Sequence, residues 1–407
     1  MRLAIIGSST DSVHTIECAR DLGIEVLAID GNADADGLKY ADIPVVVDIK
    51  NTSEVTDVIK KHGVDWIQTV PIGRYLTITG IVNDALELPG ITYHMAELCT
   101  DKYAFHRALN SAGLRDCMCF NIEHGTALDP EKLVTEYVAS TSNPAIFKPR
   151  FGSGSRGVMT AGSEKEIRNK LSLIEKADED YIFEECIDGI EYGVDAAVID
   201  GELQIILIRR KINTPLPNRQ AVGSISVDSG DAIYSKTYEY LVKIIETLKI
   251  DECLLNADII DTGKNIFAIE VATRPSGHNM HNLFVPLCTG VDMVKEYMLR
   301  RMSKPYHFKP EYFRTMMIHF FDYEGLVKKV PRKNEVDKVV LSAGADLVKW
   351  SCNIKEGDFL EQITNGHSIM GRGFFIVNSD DPDVEKYAKI ADMVKDSFVI
   401  LKEGRRT

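Results

Sequence analysis

Across its first 95 residues the chain alternates short apolar runs with segments of helical spacing, and this alternation is the strongest constraint on its fold. "LAIIG" (3–7), "EVLAID" (25–30), "IPVVVD" (43–48) and "VDWIQTV" (64–70) read as strands. "SVHTIECARDLG" (12–23), ended at a C-cap glycine, and "SEVTDVIKKHG" (53–63) read as helices. Strand–helix–strand winding of this kind requires a parallel sheet with helices on both faces. The expectation is α/β, with a doubly wound N-terminal domain over residues 1–95. Asp30 ends the second strand, where a dinucleotide-binding fold would hold a ribose. The first turn, however, reads "GSSTDS" and lacks the GxGxxG fingerprint, so the sheet is expected to shape a substrate cleft instead of binding NAD.

At 407 residues the chain is too long for one hydrophobic core. The formal charge of −14 argues against broad contact with nucleic acid or anionic lipid, so any anion site must be local, built from a few placed cations and backbone N–H groups. No apolar run approaches the ~20 residues that span a bilayer. The opening "MRLAIIGSSTDS" reads as a first strand and turn, not a signal peptide. Its 8 cysteines are scattered without a CxxC pair, which points to reduced structural thiols in a cytoplasmic protein and away from a disulfide framework or zinc site.

Beyond residue 90 the pattern changes. "GITYHMAELCTDKYAFHRALNSAGL" (90–114) reads as a connector and one helix from 96 to 112, ended at Gly113. Residues 131–185 mix helices at 131–139 and 163–175 with the strands "AIFKPR", "VMTAG" and "YIFEECI". Strands dominate from 190 to 272, interrupted by a helix at 234–248. The last hundred residues read as a small α/β unit, from "TMMIHFF" to the helix "DVEKYAKIADMVKDSF".

Three segments carry chemistry. In "FKPRFGSGSRGV" (147–158) a strand lysine, Lys148, precedes Gly152, Ser153, Gly154, Ser155 and Gly157. A P-loop would need lysine and Ser/Thr directly after its last glycine, and here Val158 follows. A glycine-rich turn between strands can instead fold over phosphates as a flap, its N–H groups donating at close range. The bland alternative is a mobile surface hairpin. In "LLNADIIDTGKNIFAIEVATRP" (254–275) "DTGKN" is a turn between two apolar strands. Alternation puts Asn256, Asp258 and Ile260 on one face. If Ile260 pairs with Ile266, Ala268, Glu270 and Ala272 share that face. Two carboxylates on an apolar hairpin repel unless a cation lies between them, and paired hard oxygens beside phosphate are how Mg²⁺ is held. The alternative is an ion pair with Arg274 or a nearby lysine. In "YIFEECIDGIEYGVD" (181–195) a strand ends in Glu184-Glu185-Cys186-Ile187, turns, and resumes at Glu191. Its backbone suits an adenine edge and Glu191 a ribose; a solvated acidic turn is the plainer reading.

The order of these segments resembles the ATP-grasp superfamily, over nearly the whole chain. Residues 1–95 look like the α/β domain that precedes the nucleotide domain in biotin-carboxylase-like members. The resemblance makes Lys102, in "CTDKYAFHRALNSAGL", and Lys148 the two nucleotide lysines. It makes 152–157 the flap, Glu184–Ile187 the adenine hinge and Glu191 the ribose ligand. Asp258 and Glu270 become metal ligands, and Arg274 the catalytic cation facing an acyl phosphate, with Lys148 beside it. The family hairpin reads Glu-x-Asn-x-Arg, whereas this one reads Glu270-Val-Ala272-Thr-Arg274, so one of the usual metal contacts is weakened or replaced, with Asn256 on the same predicted face as a candidate substitute. His278 and His281, which follow, are acceptor-pocket candidates. Arg150, Arg156 and Lys211 are further anion candidates.

The resemblance implies domains at 1–95, 96–310 (α+β, flap about 131–185) and 311–407, the last like the C-terminal subdomain of amino-acid ligases. It implies ATP and Mg²⁺, with Mn²⁺ as the alternative ion. The expected reaction joins a small carboxylate to an amine or thiol through an acyl phosphate, in a cytoplasmic protein without membrane or nucleic-acid partners and homodimeric at the family level. The alternatives are a purine-pathway or carbamoyl-phosphate-type member, or a catalytically weakened nucleotide binder, which Ala272 favours.

Overall fold

The computed structural model describes residues 1–215, 219–363, 366–380 and 384–402. The N-terminal strands form one parallel sheet in the order Ile43–Val46, Glu25–Asp30, Arg2–Ile6, Trp66–Ile67. Alternate residues of the Arg2–Ile6 strand serve different cores. Leu3 and Ile5 pack with Ile16 and Ala19 of helix Val13–Asp21, while Ala4 and Ile6 pack with Val55 and Ile59 of helix Thr52–His62. Both faces are covered, as the winding pattern requires.

The helix expected over 96–112 is two helices, Tyr93–Thr100 and Lys102–Ser111. The break is Asp101, whose backbone is extended and whose carboxylate accepts from the Tyr103 and Ala104 N–H groups. An N-cap satisfies donors that a continuing helix would have bonded itself, so the chain restarts here. Arg150 grips the same carboxylate at 2.8 and 2.6 Å, tying the new helix start to the glycine loop.

An antiparallel sheet follows, in the order Cys119–Ile122, Tyr181–Glu185, Ala145–Pro149, Met159–Ala161. Helices Pro130–Ser140 and Glu164–Ile174 cover it through a core that includes Tyr137, Phe147, Leu171 and Phe183. Phe147 stacks on Phe183 with ring centroids 4.7 Å apart.

The central sheet is antiparallel and has 8 strands: Ile266–Ala272, Cys253–Asp261, Ile190–Ile199, Glu202–Asn213, Ala221–Val227, Met316–Phe320, Gly373–Asn378 and Asp346–Cys352. Helix Ala232–Leu248 packs on one face through Leu241, Ile244 and Leu248. Residues Phe284, Val285 and Met293 join the N-terminal Leu3, Ile5 and Ile16 against Leu207, Val222 and Leu254 of the sheet. The C-terminal segment gives three strands to this sheet and forms a small three-stranded sheet of its own, Phe359–Leu360, Gly325–Lys329 and Val399–Leu401. Its backbone hydrogen bonding is therefore continuous with the central sheet. Among the described residues no helix is long and apolar enough to cross a membrane.

Candidate active site

The N-terminal parallel sheet with its helices, the four-stranded antiparallel sheet and the central sheet meet around a cleft of about 390 Å³. The strand Ala145–Pro149 alternates, so Ala145, Phe147 and Pro149 are buried while Ile146 and Lys148 line the cleft. Lys148 Nζ lies 2.7 Å from Glu184 Oε1. Glu184 is fully buried and also meets Arg115 Nη2 and His106 Nδ1, both at 2.8 Å from its Oε2. Burial alone would push this carboxyl up; His106, Lys148 and Arg115 outweigh it and hold Glu184 well below 4.5. Three basic groups thus fix one carboxylate under the strand that carries Lys148.

The same two residues reach the hairpin. His106 Nε2 faces the Ile269 carbonyl at 3.3 Å, and Arg115 Nη1 donates to the Ala268 carbonyl at 3.3 Å. This is where the hairpin register departs from the sequence expectation. Ile260 pairs with Phe267 and Asp261 with Ile266, not Ile260 with Ile266. With that register unbroken, Asp258 would oppose Ile269 and Glu270 would face the other side of the sheet. A bulge at Ile269 inserts the missing residue, so Asp258 sits directly opposite Glu270 and Asn256 opposite Ala272. The acidic face predicted by alternation therefore exists, by a route that alternation does not give.

Cations surround the two carboxylates. Lys211 Nζ is 2.5 Å from Asp258 Oδ2; burial would lower its pKa, but Asp258 and Glu191 outweigh that and raise it. Lys102 opens its helix, and its Nζ donates to the Gly152 carbonyl. Burial lowers Lys102 against the opposing pull of Glu270. Arg274 is lowered by burial too, while Glu270, Asp258 and Asp11 pull it upward. Its Nη1 is anchored on the Pro275 carbonyl at 2.8 Å. Lys102, Lys148, Lys211 and Arg274 all line the cleft, with Asp258 and Glu270 among them. Asn256 lines it as well, its Nδ2 donating to the Val194 carbonyl at 3.2 Å.

The glycine loop lies over this cleft, with Gly152, Ser153, Gly154, Ser155 and Arg156 on its wall. Gly157 has φ +71°, and a Cβ there would stand 2.9 Å from both Pro149 Cγ and Tyr181 Oη, so glycine is required. The loop is pinned at its tip, where the Gly154 carbonyl accepts from Gly366 N–H of the C-terminal segment at 3.0 Å. Arg150 is taken up by Asp101, and Arg156 is exposed beside Glu179 at 3.1 Å. Neither guanidinium is directed to the cleft centre, in contrast to Lys211.

At the other end of the cleft, Glu185, Cys186, Ile187 and Glu191 form the edge. Cys186 N–H is already given to the Pro144 carbonyl at 2.7 Å, so that donor is not turned to the cleft. Arg219, which sequence reading does not single out, bonds Glu191 Oε1 at 2.6 Å and the Ile187 carbonyl at 3.4 Å. Two more residues were not legible. Asp11, from the "GSSTDS" turn, reaches the cleft beside Arg274. Arg209 is buried on Asp195 at 2.6 Å, and Ser276 donates to the same carboxylate. Gly193 makes room for that guanidinium, since a Cβ would lie 2.5 Å from Arg209 Nη1.

The two candidate histidines separate. His278, at φ +61°, lines the cleft. His281 does not: it is fully buried behind the loop, its Nδ1 on the Ser276 carbonyl, because residues 280–284 make a π-helical turn that points it inward. All 8 cysteines are free thiols.

Comparison with known proteins finds a family similarity within this architecture. Residues 141–282 match the family model of the ATP-grasp domain. A D-alanine–D-alanine ligase of Clostridium beijerinckii is 28% identical over 159 residues, 38% of this chain and 49% of that protein, so the chain spans about half the length of that relative. Among solved structures, L-amino acid ligase from Bacillus licheniformis superposes with a TM-score of 0.74 at 18% identity, covering 99% of both chains. Phosphoribosylglycinamide synthetase from Anaerococcus prevotii gives 0.70 at 20% identity, again over 99% of both.

Proposed function

We propose that this chain, which carries an ATP-grasp domain, is an ATP-dependent ligase that activates a small carboxylate, an amino acid or a close analogue, and joins it to an amine or thiol. The observation that supports this best is the convergence of Asp258, Glu270, Lys102, Lys148 and Arg274 on one cleft beneath a glycine loop. The donors suit the ligands. Two facing carboxylates and the Asn256 carboxamide are hard oxygen donors of the kind Mg²⁺ or Mn²⁺ takes, and the lysines around them suit a triphosphate. Asp258, Glu270 and Asn256 would hold the ion, with Asn256 supplying the oxygen that Ala272 lacks. When bound, the ion neutralises phosphate charge as a Lewis acid.

The chain's own groups do the remainder. Lys102 and Lys148 hold the ATP phosphates, assisted by backbone N–H groups of residues 152–157. Glu185–Ile187 border the adenine, and Glu191, now paired with Arg219, takes the ribose. The substrate carboxylate attacks the γ-phosphorus and ADP departs, leaving an acyl phosphate. The amine then attacks the acyl carbon, phosphate leaves, and the nitrogen gives up a proton. Arg274 faces the charge that builds on the transferring group and on the acyl oxygen. The loop excludes water while the acyl phosphate waits for its nucleophile.

ADP release on adding amino acids in pairs, with and without Mg²⁺, tests the reading: turnover should require both substrates and the ion. A second reading, a ligase acting on a purine precursor, is favoured by the comparable superposition on phosphoribosylglycinamide synthetase. Turnover that requires a phosphoribosylated amine together with a carboxylate partner, bicarbonate or a single amino acid, and that no pair of amino acids supports, would select it.

A further inference from the structure

Behind the loop that follows Arg274, three metal-ligating side chains from two parts of the chain converge, with the buried His281 beside them. His14 and Cys18 lie one turn apart on helix Val13–Asp21, a spacing that puts both on one face. Asp292 caps helix Met293–Arg301, its Oδ1 accepting from the Val294 and Lys295 N–H groups at 3.2 Å each. The other oxygen, Oδ2, is 3.0 Å from His14 Nε2 and 3.3 Å from Cys18 Sγ, and the sulfur is 3.4 Å from the same nitrogen.

These three atoms form a nearly equilateral triangle, and hydrogen bonding explains only two of its sides. N–H and S–H can both donate to the carboxylate, after which the sulfur–nitrogen contact has no proton to share. Donor atoms around a tetrahedral zinc ion, bonded at about 2.0 Å to nitrogen or oxygen and about 2.3 Å to sulfur, lie roughly 3.3–3.6 Å apart. The triangle has nearly that size.

His281 is the fourth group. It is fully buried and stands edge-on to His14, with ring centroids 6.1 Å apart. Its Nδ1 is committed to the Ser276 carbonyl, while Nε2 is buried with no hydrogen-bond partner among the described residues. An Nδ1–H bond to a backbone carbonyl selects the tautomer whose Nε2 lone pair is free for a metal. Two imidazoles on one tetrahedral ion have centroids about 5 Å apart; the ligand atoms of His14, Cys18 and Asp292 lie within 4.8 Å of one another without His281, so the His281 ring must shift toward the triangle to complete the shell. The other mixed cluster, His106, Cys119 and Glu184, differs in kind, because Arg115 and Lys148 already neutralise its carboxylate.

We propose that His14, Cys18, Asp292 and His281 bind one zinc-class divalent ion that ties the first helix of the N-terminal domain to the segment downstream of Arg274. The N, S, O donor set suits Zn²⁺ or Co²⁺ and not Mg²⁺. Binding forms the metal–sulfur and metal–nitrogen bonds, releasing the Cys18 thiol proton to solvent and moving the His14 Nε2 proton to its Nδ1 or to solvent. Through His281 the ion steadies Ser276 and the loop that carries His278 at the cleft wall. This site is independent of the nucleotide reading.

The test is Co²⁺ titration of the full chain after chelator treatment. The proposal expects one ion per chain with a near-ultraviolet thiolate-to-cobalt band. Cys18→Ser should abolish the band, and His281→Gln should weaken binding roughly 10- to 100-fold. Cys186→Ser, at the cleft edge, should keep the band. X-ray absorption of the Zn²⁺-loaded wild-type chain needs no variant and should show one sulfur at about 2.3 Å with nitrogen or oxygen neighbours. A shell without sulfur, or a band that survives in Cys18→Ser, overturns the proposal.

Discussion

Asp258 faces Glu270 across the hairpin because Ile269 is bulged out of the ladder between them. The Ile269 carbonyl is met by His106, and the neighbouring Ala268 carbonyl by Arg115. Both residues also hold Glu184, the buried carboxylate beneath Lys148. One buried network therefore sets the position of Lys148, the proposed phosphate lysine, and the aim of Glu270, the proposed metal carboxylate, together.

Glu270→Ala and Asp258→Asn should each reduce substrate-dependent ADP release by at least about 10²-fold, the cost of removing a placed electrostatic group from a water-excluded site. Circular dichroism should be unchanged, since both side chains border the cleft and not the core. Raising Mg²⁺ should recover part of the activity of Asp258→Asn, and none if Asp258 only pairs with Lys211.

Arg274→Ala should lower kcat far more than it raises KM for ATP, because the proposed role matches its charge to the transferring group. Steady-state kinetics with ATP varied at saturating acceptor separate the two. Loss confined to ATP affinity would place Arg274 on the nucleotide instead.

Arg115→Leu should destabilise the fold by about 3–5 kcal/mol, the usual penalty for stripping one partner from a buried ion pair. It should lower kcat as well, by freeing the bulge that aims Glu270. Urea unfolding and kinetics on the same preparation check this; a stability loss with full kcat per folded molecule would separate the network from catalysis.

The same network has a pH signature. Glu184 is held well below 4.5 in the fold, so between its unfolded and folded values the unfolded chain binds more protons. Its stabilisation is fully present above about 4.5 and is lost as the pH falls toward the depressed value. Glu184→Gln should be less stable at neutral pH, and its stability should fall less steeply than wild type below 4.5. Equal slopes in both proteins would contradict the assignment.

Much of this was legible in the sequence, for local reasons. The parallel sheet follows from strand–helix alternation, and the hairpin and its two carboxylates from the turn signal between two apolar strands, although a period of two alone does not set their facing. The Asp101 cap and the Gly157 turn are each set by their own residues, although the cap is hidden inside a helical pattern that runs across it. What the sequence conceals is contact between distant segments. His106, Arg115 and Glu184 meet across 78 positions of chain, and nothing in their own neighbourhoods shows it. The Ile269 bulge adds one residue that alternation cannot see. Cys18 likewise reads as a structural thiol until the fold brings Asp292, 274 residues away, within 3.3 Å of it.

The central claim is that a carboxylate oxygen attacks the terminal phosphate of ATP in the cleft beneath the glycine loop. The direct measurement uses ¹⁸O-carboxylate-labelled amino acids, and labelled bicarbonate for the purine-type reading, with ATP, Mg²⁺ and an amine acceptor. Mass analysis of the released phosphate should find one ¹⁸O transferred per turnover, and no transfer with Glu270→Ala. ADP formed with unlabelled phosphate from every labelled carboxylate would contradict the account.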